Sequence, residues 1–290
     1  MKCFYHSADL DGHCSGAIVK HFYPECELIG INYGQPFPWE SIISPAETVF
    51  MVDFSLQPFE EMMDLRDRCT LVWIDHHKSA IEEADKVLAS WPNRFPVFSG
   101  VREIGKAGCE LTWNFLFPHD EAPPVVWLLG RYDVWDLEYP SVLAFQYGMR
   151  LFDTNPENQD FWGRYFKCED AMTDPVVGTM ARGKVVMDYV GQENAKYAKA
   201  CAFEVAFEGL RCIAINKMLT NSQVFDTVWD RDKYHAMITF GFRHGKWTFS
   251  MYSDREDVDV SEICKRYGGG GHKGASGFQC DHIPFQLGGE

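Results

Sequence analysis

Short apolar runs that stop abruptly at polar or acidic residues constrain the fold of this chain more than any other feature. In the first part of the chain they occupy residues 3–5, 28–31, 49–52 and 71–74. Their length and β-branched content are typical of buried strands. Helix-like stretches separate or follow them at residues 16–22, 59–68 and 110–117. This alternation predicts an α/β fold in which helices cover both faces of a parallel sheet.

The later part of the chain predicts a smaller domain. A polar segment over residues 155–174 leads into a long helical pattern over residues 176–202. The runs 203–207 and 210–215 then flank Glu208-Gly209, which is a hairpin signal, and the runs 235–242 and 247–252 again indicate strands. We therefore expect an α/β domain over residues 1–175, a connecting helix over 176–204 and a smaller mixed-sheet α/β domain over 205–290.

Composition narrows the class of protein. The formal net charge of -15 at pH 7 argues against a protein that coats long duplex nucleic acid, because such binding depends on Lys and Arg that neutralise phosphates. The ten cysteines are scattered and form no CxxC pair, which favours reduced thiols. Since no apolar run approaches about 18 residues and no signal peptide is recognisable, we expect a cytoplasmic protein that does not enter a membrane.

Ionisable side chains lie where the predicted strands end. In parallel sheets, ligands bind outside the carboxyl ends of the strands. His6 follows the first apolar run, and the turn after it also carries Asp9 and Asp11, so that one imidazole and two carboxylates can converge on a cation. Asp53 follows the third run. Taken alone, each of these carboxylates is equally well explained as a solvated loop residue.

The triplet Asp75-His76-His77 ends the fourth run, and it gives the stronger signal. Three consecutive ionisable groups there must leave the sheet or be coordinated, which favours a metal site over a satisfied core histidine. Asp133 and Asp136 follow the apolar run 125–129, and their spacing alone does not choose between them.

A glycine-rich motif lies near the end of the chain. Four consecutive glycines, residues 268–271, precede His272 and Lys273. Because glycine loses much backbone entropy on folding, such a run suits a place where backbone N–H groups approach a ligand or form an anion-binding nest. The alternative is a flexible surface loop.

The segments 6–12, 75–78 and 267–278, in this order, resemble the motifs of the DHH phosphoesterase superfamily with a C-terminal DHHA1 domain. The residues of the first two segments are most similar to those of the short-oligonucleotide nucleases called nanoRNases. The resemblance implies a metal-dependent phosphoesterase that hydrolyses short oligonucleotides or dinucleotides. Cyclic-dinucleotide phosphodiesterases, phosphoadenosine-phosphate phosphatases and a non-catalytic nucleotide-sensing module remain alternatives. Inorganic pyrophosphatases share the metal layout, but they lack the GGGH signature found here at residues 269–272.

The resemblance also assigns roles to residues and parts of the chain. Residues 1–175 would be the catalytic metal-binding DHH domain, and residues 205–290 would be the substrate-binding DHHA1 domain. His6 and Asp9 would hold one metal ion, Asp53 would bridge, and the second ion would be held by Asp11, His76 and Asp133. Catalytic roles would fall to Asp53, to His77 at the scissile phosphate and to Asp75 as its support. The substrate-binding residues would be Arg255, Gly270, Gly271 and His272.

The donor set indicates the cofactor. Oxygen-rich sites with two imidazoles suit Mn²⁺ best, with Mg²⁺ or Co²⁺ as alternatives. Two such ions, about 3.5 to 4 Å apart, would share one carboxylate and activate a bridging water. The expected partner is a short oligonucleotide or dinucleotide substrate, and a homodimer is the commonest assembly for such enzymes.

Overall fold

The computed structural model describes residues 1–90 and 98–285. The chain divides into two compact units, Met1–Met187 and Asp188–Glu290. The division falls within a long helix, α8, at Val176–Cys201. The three-part division predicted from the sequence is finer than this and stays a prediction.

The first unit alternates strands and helices before it becomes wholly helical. Its strands are β1 (Lys2–His6), β2 (Glu27–Ile31), β3 (Thr48–Val52) and β4 (Thr70–Ile74). Its helices before α8 are α1 (Leu10–Phe22), α2 (Glu60–Arg68), α3 (Lys78–Ala89), α4 (Gly108–Leu116), α5 (Pro124–Asp133), α6 (Pro140–Met149) and α7 (Gln159–Phe166). All four predicted strands are confirmed within two residues at each end.

The four strands form one parallel sheet in the order β2-β1-β3-β4. In its register, Tyr5 of β1 lies beside Val52 of β3, and Val52 lies beside Ile74 of β4. The residues that follow these strands therefore leave the sheet at one edge, which places His6, Asp53 and Asp75 close together.

Helices cover both faces of this sheet, as predicted. Alternate strand residues, including Cys3, Val52 and Ile74, pack into a core shared with α1, α4, α5, α6 and α7. The intervening residues, including Phe4 and Met51, pack into a second core shared with α2 and α3. Both faces of every interior strand are thus buried, which explains why the strands are continuously apolar rather than alternating.

One sequence interpretation was too simple. Residues 155–174, read as a polar segment, contain helix α7, and its inward side buries Phe161, Trp162, Tyr165 and Phe166. Polar residues lie between these aromatic side chains, and a helix of eight residues is too short to show the amphipathic repeat clearly in the sequence.

The second unit is built on a six-stranded mixed sheet. Its elements are β5 (Phe203–Phe207), β6 (Leu210–Asn216), β7 (Ala236–Arg243), β8 (Lys246–Tyr252), α9 (Val260–Arg266), β9 (Gly270–His272) and β10 (Ala275–Cys280). The strand order is β5-β6-β7-β8-β10-β9, and only β6 and β7 pair in parallel. At the predicted hairpin, Glu208 and Gly209 both have positive φ, as its two-residue turn requires. The smaller mixed-sheet domain is confirmed.

The cysteines agree with the expectation of reduced thiols. All ten cysteines are free, and eight of them are buried. Across residues 1–90 and 98–285, no helix is both long enough and apolar enough to cross a membrane.

Candidate metal centre

The start of helix α1 brings two carboxylates under the end of β1. Asp9 caps the helix, since its Oδ1 accepts a hydrogen bond from Gly12 N at 2.9 Å. Its other oxygen, Oδ2, lies 3.0 Å from His6 Nδ1. A β-carbon at Gly12 would come within 1.9 Å of His6 O, so only glycine allows α1 to approach the end of β1 this closely.

Asp11 is held by the first turn of helix α4. Its two carboxylate oxygens accept hydrogen bonds from Gly108 N at 2.7 Å and Cys109 N at 2.8 Å. These N–H groups have no partner within their own helix, and the helix dipole favours a negative charge at this end. Burial and the nearby carboxylates of Asp53 and Asp133 nevertheless raise the pKa of Asp11 well above its usual value.

Asp53 occupies the middle of the cluster. It leaves β3 in the left-handed region, at φ 55°, and its N–H donates to Ile74 O at 2.9 Å. Its Oδ2 lies 3.6 Å from His6 Nδ1, and its Oδ1 lies 3.1 Å from His76 Nε2. Burial alone would raise the pKa of Asp53, but the two imidazoles outweigh it and lower the pKa below the usual carboxyl range. Asp53 therefore contacts both histidines at once.

The side chains of the triplet Asp75-His76-His77, which follows β4, point in two different directions. His76 faces the cluster, with Nε2 3.5 Å from Asp11 Oδ2. Asp75 turns toward its own loop, where Oδ1 accepts from the backbone N–H groups of His76 and His77 at 2.7 and 3.2 Å and lies 2.8 Å from His77 Nδ1. The indole N–H of Trp73 donates to Asp75 Oδ2 at 3.3 Å. Asp75 thus fixes the turn and the ring of His77.

The structure distinguishes the two aspartates that the spacing left open. Asp133 ends helix α5 and places Oδ2 3.3 Å from His76 Nε2. Asp136 turns away and lies 3.3 Å from Arg131 Nη1. Burial raises the pKa of Asp133 to about 7 against the attraction of His76.

The residues brought together have the composition and spacing of a metal centre. Within the first unit, donor atoms within 4.8 Å of one another form three groups, two of which share Asp53: His6, Asp9 and Asp53; Asp53, Asp75 and His77; and Asp11, His76 and Asp133. The buried Oδ2 of Asp133 accepts no hydrogen bond within the described part of the chain. Since crowded carboxylates also raise the pKa values of Asp11 and Asp133, a divalent cation would supply the charge that this pocket lacks.

The predicted substrate-binding residues all belong to the second unit. The Arg255 guanidinium lies 2.9 and 2.7 Å from the carboxylate oxygens of Asp257, and its Nη1 donates to Arg231 O at 2.8 Å. Gly270, Gly271 and His272 form β9, the edge strand of the sheet. Only the last two glycines of the run thus lie in a paired strand, since Gly268 and Gly269 precede β9, and the role of these residues in binding substrate stays a prediction.

Sequence reasoning missed two contributors to the centre, Gly108 and Trp73. Gly108 approaches Asp11 from 97 residues further along the chain, so no local pattern marks it. Trp73 sits inside an apolar run and reads as a core residue, although its indole N–H also donates to Phe54 O at 3.1 Å.

Comparisons with known proteins relate part of this chain to a family. Residues 3–126 match the DHH family, N-terminal domain. An uncharacterized protein of Acanthamoeba polyphaga mimivirus is 26% identical over 254 residues, which cover 83% of this chain and 56% of that protein. The chain thus spans little more than half the length of this curated relative.

Two solved structures extend the comparison. The pGpG-specific phosphodiesterase PggH from Vibrio cholerae has a TM-score of 0.51 and 11% identity, and the match covers 96% of this chain and 92% of that one. RecJ from Thermus thermophilus, solved with Mn²⁺, has a TM-score of 0.45 and 14% identity, covering 97% of this chain and 49% of that one. Residues 3–126 therefore match a DHH family domain, and the fold of the chain is similar to that of PggH.

Proposed function

We propose that this protein is a metal-dependent phosphoesterase that hydrolyses short oligonucleotides or dinucleotides. The observation that carries the proposal is the position of Asp53, whose two oxygens lie 3.6 and 3.1 Å from His6 and His76. A carboxylate shared between two donor groups is the arrangement that two-metal hydrolases use.

The proposal divides the ligands as follows. His6 and Asp9 hold one divalent ion, Asp11, His76 and Asp133 hold the other, and Asp53 is shared. Mn²⁺ suits this donor set best, with Mg²⁺ or Co²⁺ as alternatives. When bound, such ions make hydroxide available near neutral pH and offset charge on the phosphoryl oxygens.

The remaining residues orient groups for the reaction. Asp75 holds the His77 ring through the 2.8 Å contact with Nδ1, and we assign His77 to the scissile phosphate. The backbone N–H groups of Gly108 and Cys109 keep both oxygens of Asp11 in place, so that its carboxylate does not reorganise during turnover. Arg255, Gly270, Gly271 and His272 are proposed to contact the substrate.

Charge and similarity together favour a small substrate. A formal net charge of -15 repels long polyanionic strands, whereas a dinucleotide needs only local cations. PggH, which has a similar fold, acts on pGpG, and a linear dinucleotide is accordingly our first candidate. Cyclic dinucleotides, phosphoadenosine phosphate and ligand sensing without turnover are the alternatives.

Product analysis with matched variants tests the proposal. Wild type, Asp53→Asn and Asp136→Asn would be incubated with Mn²⁺ and a panel of linear and cyclic dinucleotides, phosphoadenosine phosphate and a long RNA. Asp53→Asn should lose more than about 100-fold in turnover, beyond the usual cost of losing a residue that only supports a ligand. Asp136→Asn should remain active, because Asp136 pairs with Arg131 outside the cluster.

Three outcomes would contradict parts of the proposal. Full activity of Asp53→Asn would refute the metal centre. Binding of a dinucleotide without products would identify a sensing module. Equal rates on dinucleotide and long RNA would refute the preference for short substrates.

A further inference from the structure

Helix α5 ends at Asp133, and the residues that follow it end the helix in an unusual way. Asp136 N donates to Arg131 O at 2.8 Å, and Trp135 N donates to Tyr132 O at 3.0 Å. This pair of bonds is the Schellman ending, in which one residue adopts the left-handed conformation and is usually glycine. Here that residue is Trp135, with φ 59°. A bulky side chain in this conformation is a backbone outlier.

Backbone strain of this kind is rare in the first unit. Among its described residues, only Asp53 and Trp135 combine a side chain with a left-handed φ. Asp53 is the central residue of the candidate metal centre. Strained residues concentrate at functional sites, where the surrounding structure sustains their cost. The second case therefore calls for a functional explanation as well.

The Trp135 side chain is placed to meet a ligand rather than to fill the core. It is 44% exposed, and its ring contacts the Tyr132 ring at a centroid distance of 5.5 Å. Trp135 is two positions after Asp133, so the Cα atoms of these two residues lie no more than about 7 Å apart. An exposed indole thus stands on the residue two positions after the aspartate whose carboxylate faces His76.

A cation contacts the same Tyr132 side chain. Arg150 Nη2 donates to the Tyr132 hydroxyl at 3.1 Å, and the guanidinium lies 5.8 Å from the Tyr132 ring. Arg150 also lies 5.1 Å from the Tyr147 ring, and among the described residues no salt bridge joins it to a carboxylate, although the chain has a formal net charge of -15. An exposed aromatic ring with an uncompensated guanidinium nearby matches the flat base and negative charge of a nucleotide.

We propose that Trp135 determines specificity for nucleotides by stacking on a base of the substrate, with Arg150 attracting its negative charge. This inference rests on the proposed function. Because every base presents a π-face, stacking selects nucleotides from other phosphoesters without requiring one particular base. It also explains why a tryptophan stands at a position where glycine would fit with less strain.

Kinetics on two substrates test the inference. The variants are Trp135→Gly, the conservative Trp135→Phe, and Trp127→Ala, which removes a different exposed tryptophan that lies within α5. Each would be assayed with a dinucleotide and with an abasic dinucleotide of the same backbone. Trp135→Gly should raise KM for the dinucleotide about tenfold and leave the abasic substrate unchanged. Trp135→Phe should recover most of this loss, and Trp127→Ala should resemble wild type.

A purely structural role would give a different result. Trp135→Gly would then lose activity equally on both substrates and unfold at a lower temperature. We expect its thermal midpoint to stay within about 3 °C of wild type, because relief of the left-handed strain offsets the lost contact with Tyr132. Equal losses on the two substrates would overturn the inference.

Calorimetric titration with the dinucleotide separates this inference from the proposed function. If wild type binds without turnover, the proposed hydrolysis fails, while a dissociation constant about tenfold weaker for Trp135→Gly would still support stacking. An unchanged dissociation constant would overturn stacking alone. If wild type neither binds nor cleaves the dinucleotide, both proposals are wrong.

Discussion

Gly108 shows how closely the backbone of α4 approaches the carboxylates. A β-carbon there would lie 2.7 Å from Asp53 Cβ and 3.0 Å from Asp11 Oδ2. Gly108→Ala should therefore displace both carboxylates while leaving the helix itself intact. Because a misplacement of about 1 Å can cost roughly 100-fold in rate, we expect a loss of that order in kcat, together with weaker metal binding. Steady-state kinetics and a metal titration measure the two effects.

Gly163→Ala is the matched control for this substitution. Gly163 lies in helix α7, and a β-carbon there would meet nothing within 4 Å. Activity should be unchanged, and the free energy of unfolding should rise by about 0.5 to 1 kcal/mol, since alanine favours the helix. If Gly108→Ala were as active as Gly163→Ala, the carboxylates would not depend on this close approach.

The residues of the centre differ in how far the sequence could reveal them. His6, Asp53 and His76 were predictable because each follows a recognisable strand, and the carboxyl ends of parallel strands share one edge. The choice of Asp133 over Asp136 depends on how α5 ends against the sheet, which spacing does not encode. The contact of Gly108 with Asp11 could not be predicted from the sequence either, because it joins residues far apart in the chain.

At the scale of elements, the first turn of α1 combines capping with the candidate metal centre through Asp9. One oxygen caps Gly12 N at 2.9 Å, and the other lies 3.0 Å from His6 Nδ1. Asp9→Asn should keep the helix cap, because asparagine caps as well as aspartate, but should weaken metal binding by removing the charge. Asp9→Ala should both remove the helix cap and weaken metal binding. Loss of the cap should lower the free energy of unfolding by about 1 kcal/mol. Urea unfolding in a chelator isolates the capping effect.

Asp259→Asn provides a control on another helix. Asp259 caps α9 by accepting from Ser261 N at 3.0 Å, and it lies in the second unit. The same chemical change there should leave metal affinity unaltered. If Asp9→Asn destabilised the metal-free protein as much as Asp9→Ala, the cap would depend on charge and the two roles of Asp9 would not be separable.

Strands were easier to predict than helices in this chain. Buried parallel strands are short, continuous and apolar, and abrupt polar ends mark them. Helix α6 is instead apolar around most of its surface, and seven of its ten residues are buried, which removes the amphipathic period. Helix α7 has the opposite difficulty, since its few buried aromatics are spaced among polar residues.

For the whole molecule, we expect metal binding to raise the free energy of unfolding. The chain carries a formal net charge of -15, and the centre collects the carboxylates of Asp9, Asp11, Asp53 and Asp133 in a largely buried site. A cation bound only by the folded state, at about 100 times its Kd, contributes about 2.7 kcal/mol. For a unit of this size that corresponds to a rise in the thermal midpoint of roughly 5 to 10 °C.

Calorimetric scans with Mn²⁺ and with a chelator, at equal ionic strength, measure this shift. Because the chain has two units, two transitions can appear, and only the one belonging to Met1–Met187 should move, since that unit holds the whole cluster. Asp53→Asn should abolish the shift, whereas Asp136→Asn should retain it. Equal shifts in both variants would mean that Mn²⁺ acts on the acidic surface as a whole, because general screening depends on net charge and not on any one carboxylate.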